Sequence, residues 1–131
     1  MLVVVDASVA LTASLSERGF DALANRELSS PPLMWSEARA ALRQLWWRGQ
    51  IGPDEAEVTR QRLESCPVDR VTPDELADEA WKVSVELGWA KTYDAEYVAL
   101  ARILGCRVVT LDARLRRGAD RLGLVVLPEE L

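Results

Sequence analysis

The run Leu2-Val3-Val4-Val5, followed at once by Asp6, decides the fold class of this chain. A short stretch that is apolar at every position is buried on both faces, which is typical of a central strand in a parallel sheet. The segments Arg107 to Leu111 and Leu124 to Leu127 have the same character, and Val68 to Val71 is a weaker fourth candidate. The sequence therefore predicts a mostly parallel central sheet.

Helical patterns fill the intervals between these strands. The apolar residues at 34, 38, 41, 42, 45 and 46 form a stripe that predicts a helix from Met34 to Arg48, with Trp46 on its core face. Further helices are predicted from Pro53 towards Ser65, from Thr72 towards Gly88 and from Thr92 to Leu104, and shorter amphipathic stretches at 9–15 and 17–25. Residues 29–33 make a poor strand, so we expect a short or irregular element there. Strands separated by helices predict an α/β/α sandwich.

Composition excludes several classes of function. The chain has 131 residues, 49 % of them hydrophobic and 28 % charged, as expected for one globular domain. It has no histidine, which excludes Ser-His-Asp triads and the usual zinc sites. A net charge of −5 argues against binding nucleic acid through bulk positive charge. We see no transmembrane segment or secretory signal, and therefore expect a cytoplasmic protein with Cys66 and Cys106 as reduced thiols.

Four acidic residues occupy equivalent places in the predicted fold: Asp6, Glu37, Asp94 and Asp112. Taken singly, each suits a helix N-cap or the first turn of a helix. Taken together, they map to the edge where parallel strands end and the next helices begin, which is where such folds build their sites. Clustered carboxylates repel one another, so a hard divalent cation, Mg²⁺ or Mn²⁺, is the expected partner.

Four sequence blocks carry a resemblance to a known family: residues 3–8 (VVVDAS), 36–42 (SEARAAL), 93–101 (YDAEYVALA) and 109–112 (VTLD). They resemble, in order, the blocks of PIN-domain proteins, most of all the VapC-type toxin ribonucleases of bacterial toxin–antitoxin pairs. The resemblance implies a single PIN-like nuclease domain over residues 1–131. It also implies an endoribonuclease that uses Mg²⁺ or Mn²⁺, cleaves RNA, binds a cognate antitoxin and forms a homodimer.

The same resemblance assigns roles to individual residues. It makes metal ligands and catalytic residues of the four acids, which are Asp6, Glu37, Asp94 and Asp112. It places Ser8 and Thr110 beside the metal, orienting a carboxylate or the attacking water. Helix capping by Ser8 and strand packing by Thr110 remain the structural alternatives. Trp47 lies off the apolar stripe of its helix, and an exposed tryptophan often marks an interface.

Other classes of protein fit less well. A phosphatase of the haloacid dehalogenase type also begins with an apolar strand that ends in Asp, but it needs a second Asp two residues later, where this chain has Ser8. A receiver domain needs a late lysine at a strand end, whereas Lys82 and Lys91 both lie in or near predicted helices. A PIN-like module that only binds a partner stays open as the non-catalytic alternative.

Overall fold

Four of the five strands lie within segments that the sequence predicts as strands, and all five are short. The computed structural model describes residues 1–131 and contains β1 (Leu2–Val5), β2 (Glu27–Ser30), β3 (Asp69–Arg70), β4 (Arg107–Val109) and β5 (Val125–Val126). They form one sheet in the order β3-β2-β1-β4-β5, and each neighbouring pair is parallel. The run that ends at Asp6 is therefore the middle strand.

Six helices connect the strands: α1 (Ala7–Ser14), α2 (Leu33–Trp47), α3 (Pro53–Glu64), α4 (Leu76–Leu87), α5 (Tyr93–Leu104) and α6 (Ala113–Gly118). Short 3₁₀ turns cover Gly19–Leu23, Asp120–Leu122 and Pro128–Glu130. The predicted α/β sandwich with a parallel central sheet is confirmed. No helix is both long enough and apolar enough to cross a lipid bilayer.

The core lies around β1 and α5. Val3, Val4 and Val5 are at most 1 % exposed, because β1 has a strand on each side and helices over its faces. Helix α5 packs against α4, β1 and β4, and every residue from Tyr97 to Ala101 is buried. Its N-terminus points to the edge at which β1 and β4 end, so Asp94 is brought to the same edge as Asp6.

The structure differs from the sequence-based predictions at Trp46 of α2 and at the start of β2. The apolar stripe predicts that Trp46 lies in the core, but Trp46 is 41 % exposed. The covered face of α2 ends at Leu42, and Trp46 instead lines an open groove between α2 and α3, with the Arg43 guanidinium 4.6 Å from its ring centroid. The short element expected at residues 29–33 is the strand β2, which begins earlier, at Glu27. Its Ser30 hydroxyl donates a hydrogen bond to the Val5 carbonyl.

Candidate metal centre at the carboxyl edge of the sheet

Asp6 is the buried centre of the candidate site. It directly follows β1, is 4 % exposed, and caps α1 by accepting a hydrogen bond from the Val9 amide at 3.1 Å. The Ser8 hydroxyl donates to the same oxygen, Oδ1, at 2.6 Å, and the Thr110 hydroxyl donates to Oδ2. A carboxylate accepts about four hydrogen bonds, so these three leave one lone pair on Oδ2 for another ligand.

Thr110 and Ser8 join the ends of two strands. Thr110, which is fully buried after β4, accepts a hydrogen bond from the Asp112 amide at 2.9 Å while it donates to Asp6. Ser8 accepts from the Leu111 amide at 3.0 Å. Both hydroxyls therefore contact Asp6, as the role of orienting a carboxylate requires. The capping group of α1 is the Asp6 side chain, so capping does not account for Ser8.

Glu37 approaches from the other side of the sheet edge, on α2. It is half-buried, and its Oε1 accepts a hydrogen bond from the Tyr97 hydroxyl at 2.5 Å. Burial and this hydrogen bond raise the pKa of Tyr97, so the phenol stays protonated and acts as a donor. Tyr97 is not among the site residues that the sequence predicts. Its spacing of one helical turn from Asp94 was the available signal that its hydroxyl could reach the acids.

Asp94 and Asp112 lie on the more open side of the site. Asp94 is only partly exposed in the first turn of α5, and its carboxylate takes part in none of the side-chain hydrogen bonds or salt bridges of the chain. Asp112 caps α6 through Oδ1, which accepts from the Arg114 and Leu115 amides at 2.9 and 3.4 Å. The second oxygen of Asp112 has no such partner. Both acids therefore keep lone pairs for a ligand.

The four acids lie within one another's electrostatic field. Burial is the main cause that raises the pKa of Asp6, Glu37 and Asp94. Repulsion by Asp94 raises the first two further, and Asp112 does the same to Asp94. Three hydrogen-bond donors oppose the effect at Asp6, and the Arg114 guanidinium opposes it at Asp94. Repulsion therefore links Asp6 to Asp94 and Glu37, and Asp94 to Asp112, along this edge of the sheet.

The donor set suits a hard divalent cation. The available ligand atoms are carboxylate oxygens, since the chain has no histidine. No three acidic, cysteine or histidine side chains are close enough to hold an ion by themselves. Mg²⁺ typically binds through one or two carboxylates and keeps several waters, so it does not require such a cage. Asp6, Glu37, Asp94 and Asp112 fit it directly or through water.

Comparison with known proteins defines the family. The model of the PIN domain matches residues 3–121, and the chain belongs to the PIN domain family. Within it, the chain is similar to ribonuclease VapC9 of Mycobacterium tuberculosis and to VapC ribonuclease Mb0985 of Mycobacterium bovis. Each is 34 % identical over 129 residues, which cover 97 % of this chain and 99 % of the relative. The resemblance drawn from the four sequence blocks is confirmed.

Solved structures agree with the fold. The protein PAE2754 from Pyrobaculum aerophilum superposes with a TM-score of 0.74 at 24 % identity, over 99 % of this chain and 91 % of that one. A toxin–antitoxin complex from Klebsiella pneumoniae contains a chain that gives a TM-score of 0.65 at 17 % identity, covering 96 % of this chain and 97 % of that one. At such identities the likeness supports the fold and no particular activity.

Proposed function

We propose that this protein is a metal-dependent endoribonuclease, the toxin of a toxin–antitoxin pair, and that residues 1–131 act as one nuclease domain. Relatives that are named ribonucleases share 34 % identity with almost the whole chain. The observation that carries the proposal is Asp6, a buried carboxylate at the end of the central strand that is fixed by three donors and faces the field of Asp94. Such a costly charge is expected at a functional site.

The side chains of this site have distinct tasks in the proposed reaction. A divalent cation supplies the Lewis acidity that activates water and stabilises the leaving oxygen of the phosphodiester. Asp6 and Glu37 would hold it from the buried side, the first fixed by Ser8 and Thr110 and the second by Tyr97. Asp94 and Asp112 would bind from the open side. Since the chain has no histidine, no imidazole competes for the role of general base.

The acidity of the chain constrains how RNA is bound. A net charge of −5 repels phosphate, and two divalent ions at the acidic edge would offset most of it where the substrate must lie. Recognition centred on the metal implies weak affinity for RNA in its absence. We propose single-stranded or looped RNA as the substrate, in the cytoplasm.

We also propose a homodimer that binds an antitoxin protein. Trp47 is 76 % exposed at the end of α2, and the neighbouring Trp46 lies under the Arg43 guanidinium. Exposed tryptophan and arginine are the residues most enriched at the energetic centres of protein interfaces. The toxin–antitoxin complex from Klebsiella pneumoniae among the structural neighbours supports a partner of this kind.

Cleavage of a labelled single-stranded RNA tests the proposal. With Mg²⁺ or Mn²⁺ we expect internal cleavage that disappears in EDTA and in Asp6→Asn. Asn is close in shape to Asp and keeps an oxygen for Ser8 and Val9, so the variant should fold. Asp69→Asn, at an exposed acid of β3, is the matched control and should retain activity.

Each other outcome has a definite meaning. Undiminished cleavage in EDTA would contradict the metal mechanism. A purified protein that hydrolyses a phosphate monoester but not RNA would be a phosphatase. A protein that cleaves neither, yet binds an antitoxin, would be the non-catalytic PIN-like module.

A further inference from the structure

An open cleft of about 470 Å³ adjoins the acidic site. It lies between the α4–α5 connection and the start of α6, with Asp94 and Asp112 on its wall. Its volume is in the range of sites for small molecules. Trp89 forms part of the wall and packs against Gly118 of α6, where an added Cβ would lie 3.4 Å from the indole Nε1. The cleft is therefore built from packed elements.

Tyr93 presents an aromatic ring to this cleft. It is the first residue of α5, is 55 % exposed, and directly precedes Asp94. Its hydroxyl forms no side-chain hydrogen bond, whereas the hydroxyl of Tyr97, one turn later and 1 % exposed, is bonded to Glu37. An exposed ring beside a phosphate-processing site is the element on which nucleic-acid bases stack.

Two cations line the same cleft, Lys91 and Arg114. Neither forms a salt bridge, and the same is true of most basic side chains of the chain, so their position on the wall of the cleft is what distinguishes them. Both cations can therefore contact an anion that enters the cleft. Phosphate groups of a nucleic acid strand are such anions.

We propose that this cleft binds one nucleotide of the RNA strand next to the bond that is cut. Tyr93 stacks on the base, and Lys91 and Arg114 contact the flanking phosphates. The stacking is independent of base identity, because every base has a π-face. The inference rests on the proposed ribonuclease function and gives it a binding position for the substrate.

The test uses two probes that have the same sugar and phosphate: adenosine 5′-monophosphate and ribose 5-phosphate. Neither contains a phosphodiester bond, so binding is measured without turnover. Titrations followed by NMR in Mg²⁺ compare the wild type with Tyr93→Ala and Tyr93→Phe. Trp81→Ala, which removes an exposed aromatic of α4 that does not line this cleft, is the control for Tyr93. Lys82→Gln on α4 is the control for Lys91→Gln.

We expect the wild type to bind the nucleotide about five-fold or more tightly than the sugar phosphate. Tyr93→Ala should abolish that preference, and Tyr93→Phe and Trp81→Ala should keep it. Lys91→Gln should weaken both probes equally, because it removes only a phosphate contact, and Lys82→Gln should weaken neither. Equal binding of the two probes by the wild type, failure to bind either, or a preference that survives Tyr93→Ala overturns the inference.

RNA cleavage by the same proteins separates this inference from the proposed function. If the wild type cleaves RNA but the preference survives in Tyr93→Ala, the nucleotide position is wrong and the ribonuclease stands. If the preference depends on Tyr93 but RNA is not cut, the ribonuclease is wrong and the nucleotide site stands.

Discussion

Replacing Asp94 by Asn should separate a metal site from a set of helix caps. Asp94 forms no side-chain hydrogen bond, and burial together with Asp112 raises its pKa from the ordinary value of 3.8. A raised pKa in the folded state favours folding at low pH, and that contribution is lost as pH rises through the folded pKa. At neutral pH without metal, the carboxylate therefore opposes folding, and the neutral amide should relieve this.

The size of the metal effect follows from linkage. An ion that binds only the folded state stabilises it by about 2.7 kcal/mol at one hundred times its Kd. Unfolding entropy of about 2.1 cal/mol/K per residue gives ~0.28 kcal/mol/K for 131 residues, so the melting temperature should rise by about 10 °C. Most of that rise should be absent in Asp94→Asn, because a ligand is lost.

Thermal melts in EDTA and in excess Mg²⁺ measure both effects. Asp78→Asn is the matched control, since Asp78 is exposed in the first turn of α4 and lacks acidic neighbours of this site. Losing a charge at a helix N-terminus costs about 0.3–1 kcal/mol in both variants. In EDTA we expect Asp94→Asn to melt at or above the wild type and Asp78→Asn below it. A wild type that gains nothing from Mg²⁺ or Mn²⁺, with Asp94→Asn melting as low as Asp78→Asn, would refute the reasoning.

Three further predictions follow from individual contacts. Thr110→Val should lower the free energy of unfolding by roughly 2 kcal/mol or more, because Asp6 loses a donor and the Asp112 amide loses an acceptor. Thr59→Val should be neutral or stabilising, because the buried Thr59 hydroxyl has no partner. Urea melts that show equal losses for the two variants would contradict this. In the intact protein the Tyr97 hydrogen bond lowers the pKa of Glu37, so its removal in Tyr97→Phe should raise that pKa and shift the acidic limb of the activity–pH profile to higher pH. An acidic limb that does not move would disprove this role of Tyr97. Trp47→Ala should weaken the homodimer in light scattering, and a wild type that is monomeric at all concentrations would rule it out.

Helices and strands can be predicted from the sequence where their apolar residues recur at a regular spacing and are buried. β1 and α5 are surrounded by other elements, so their apolar patterns translate directly into burial. The apolar pattern does not predict burial where a helix extends beyond the elements it packs against. Trp46 continues the apolar stripe of α2, but the buried residues of that helix end at Leu42. The apolar pattern misses β2 for the opposite reason. Ser29 and Ser30 are polar but buried, through sheet pairing and a hydrogen bond of the Ser30 hydroxyl, and hydropathy indicates neither.

The sequence predicts those parts of the candidate site whose positions follow from the order of the strands and helices. Parallel order brings the four acids to one edge from their places in the chain alone. The Tyr97 bond to Glu37 joins residues sixty positions apart and depends on how α2 and α5 face each other, which no local pattern specifies. The cleft beside Tyr93 likewise depends on where α6 lies relative to the α4–α5 connection.

The register of β1 on β4 is what assembles the centre. Val5 pairs with Val109, so the next residues, Asp6 and Thr110, leave adjacent strands side by side, at the spacing of about 4.8 Å between strands. That places the Thr110 hydroxyl against Oδ2 of Asp6. Two residues later, the chain turns into α6 at Asp112, whose amide binds the same hydroxyl. A slip of one residue would put Leu111 beside Asp6, so the valines that fix the strand pairing also fix the relative position of two acids.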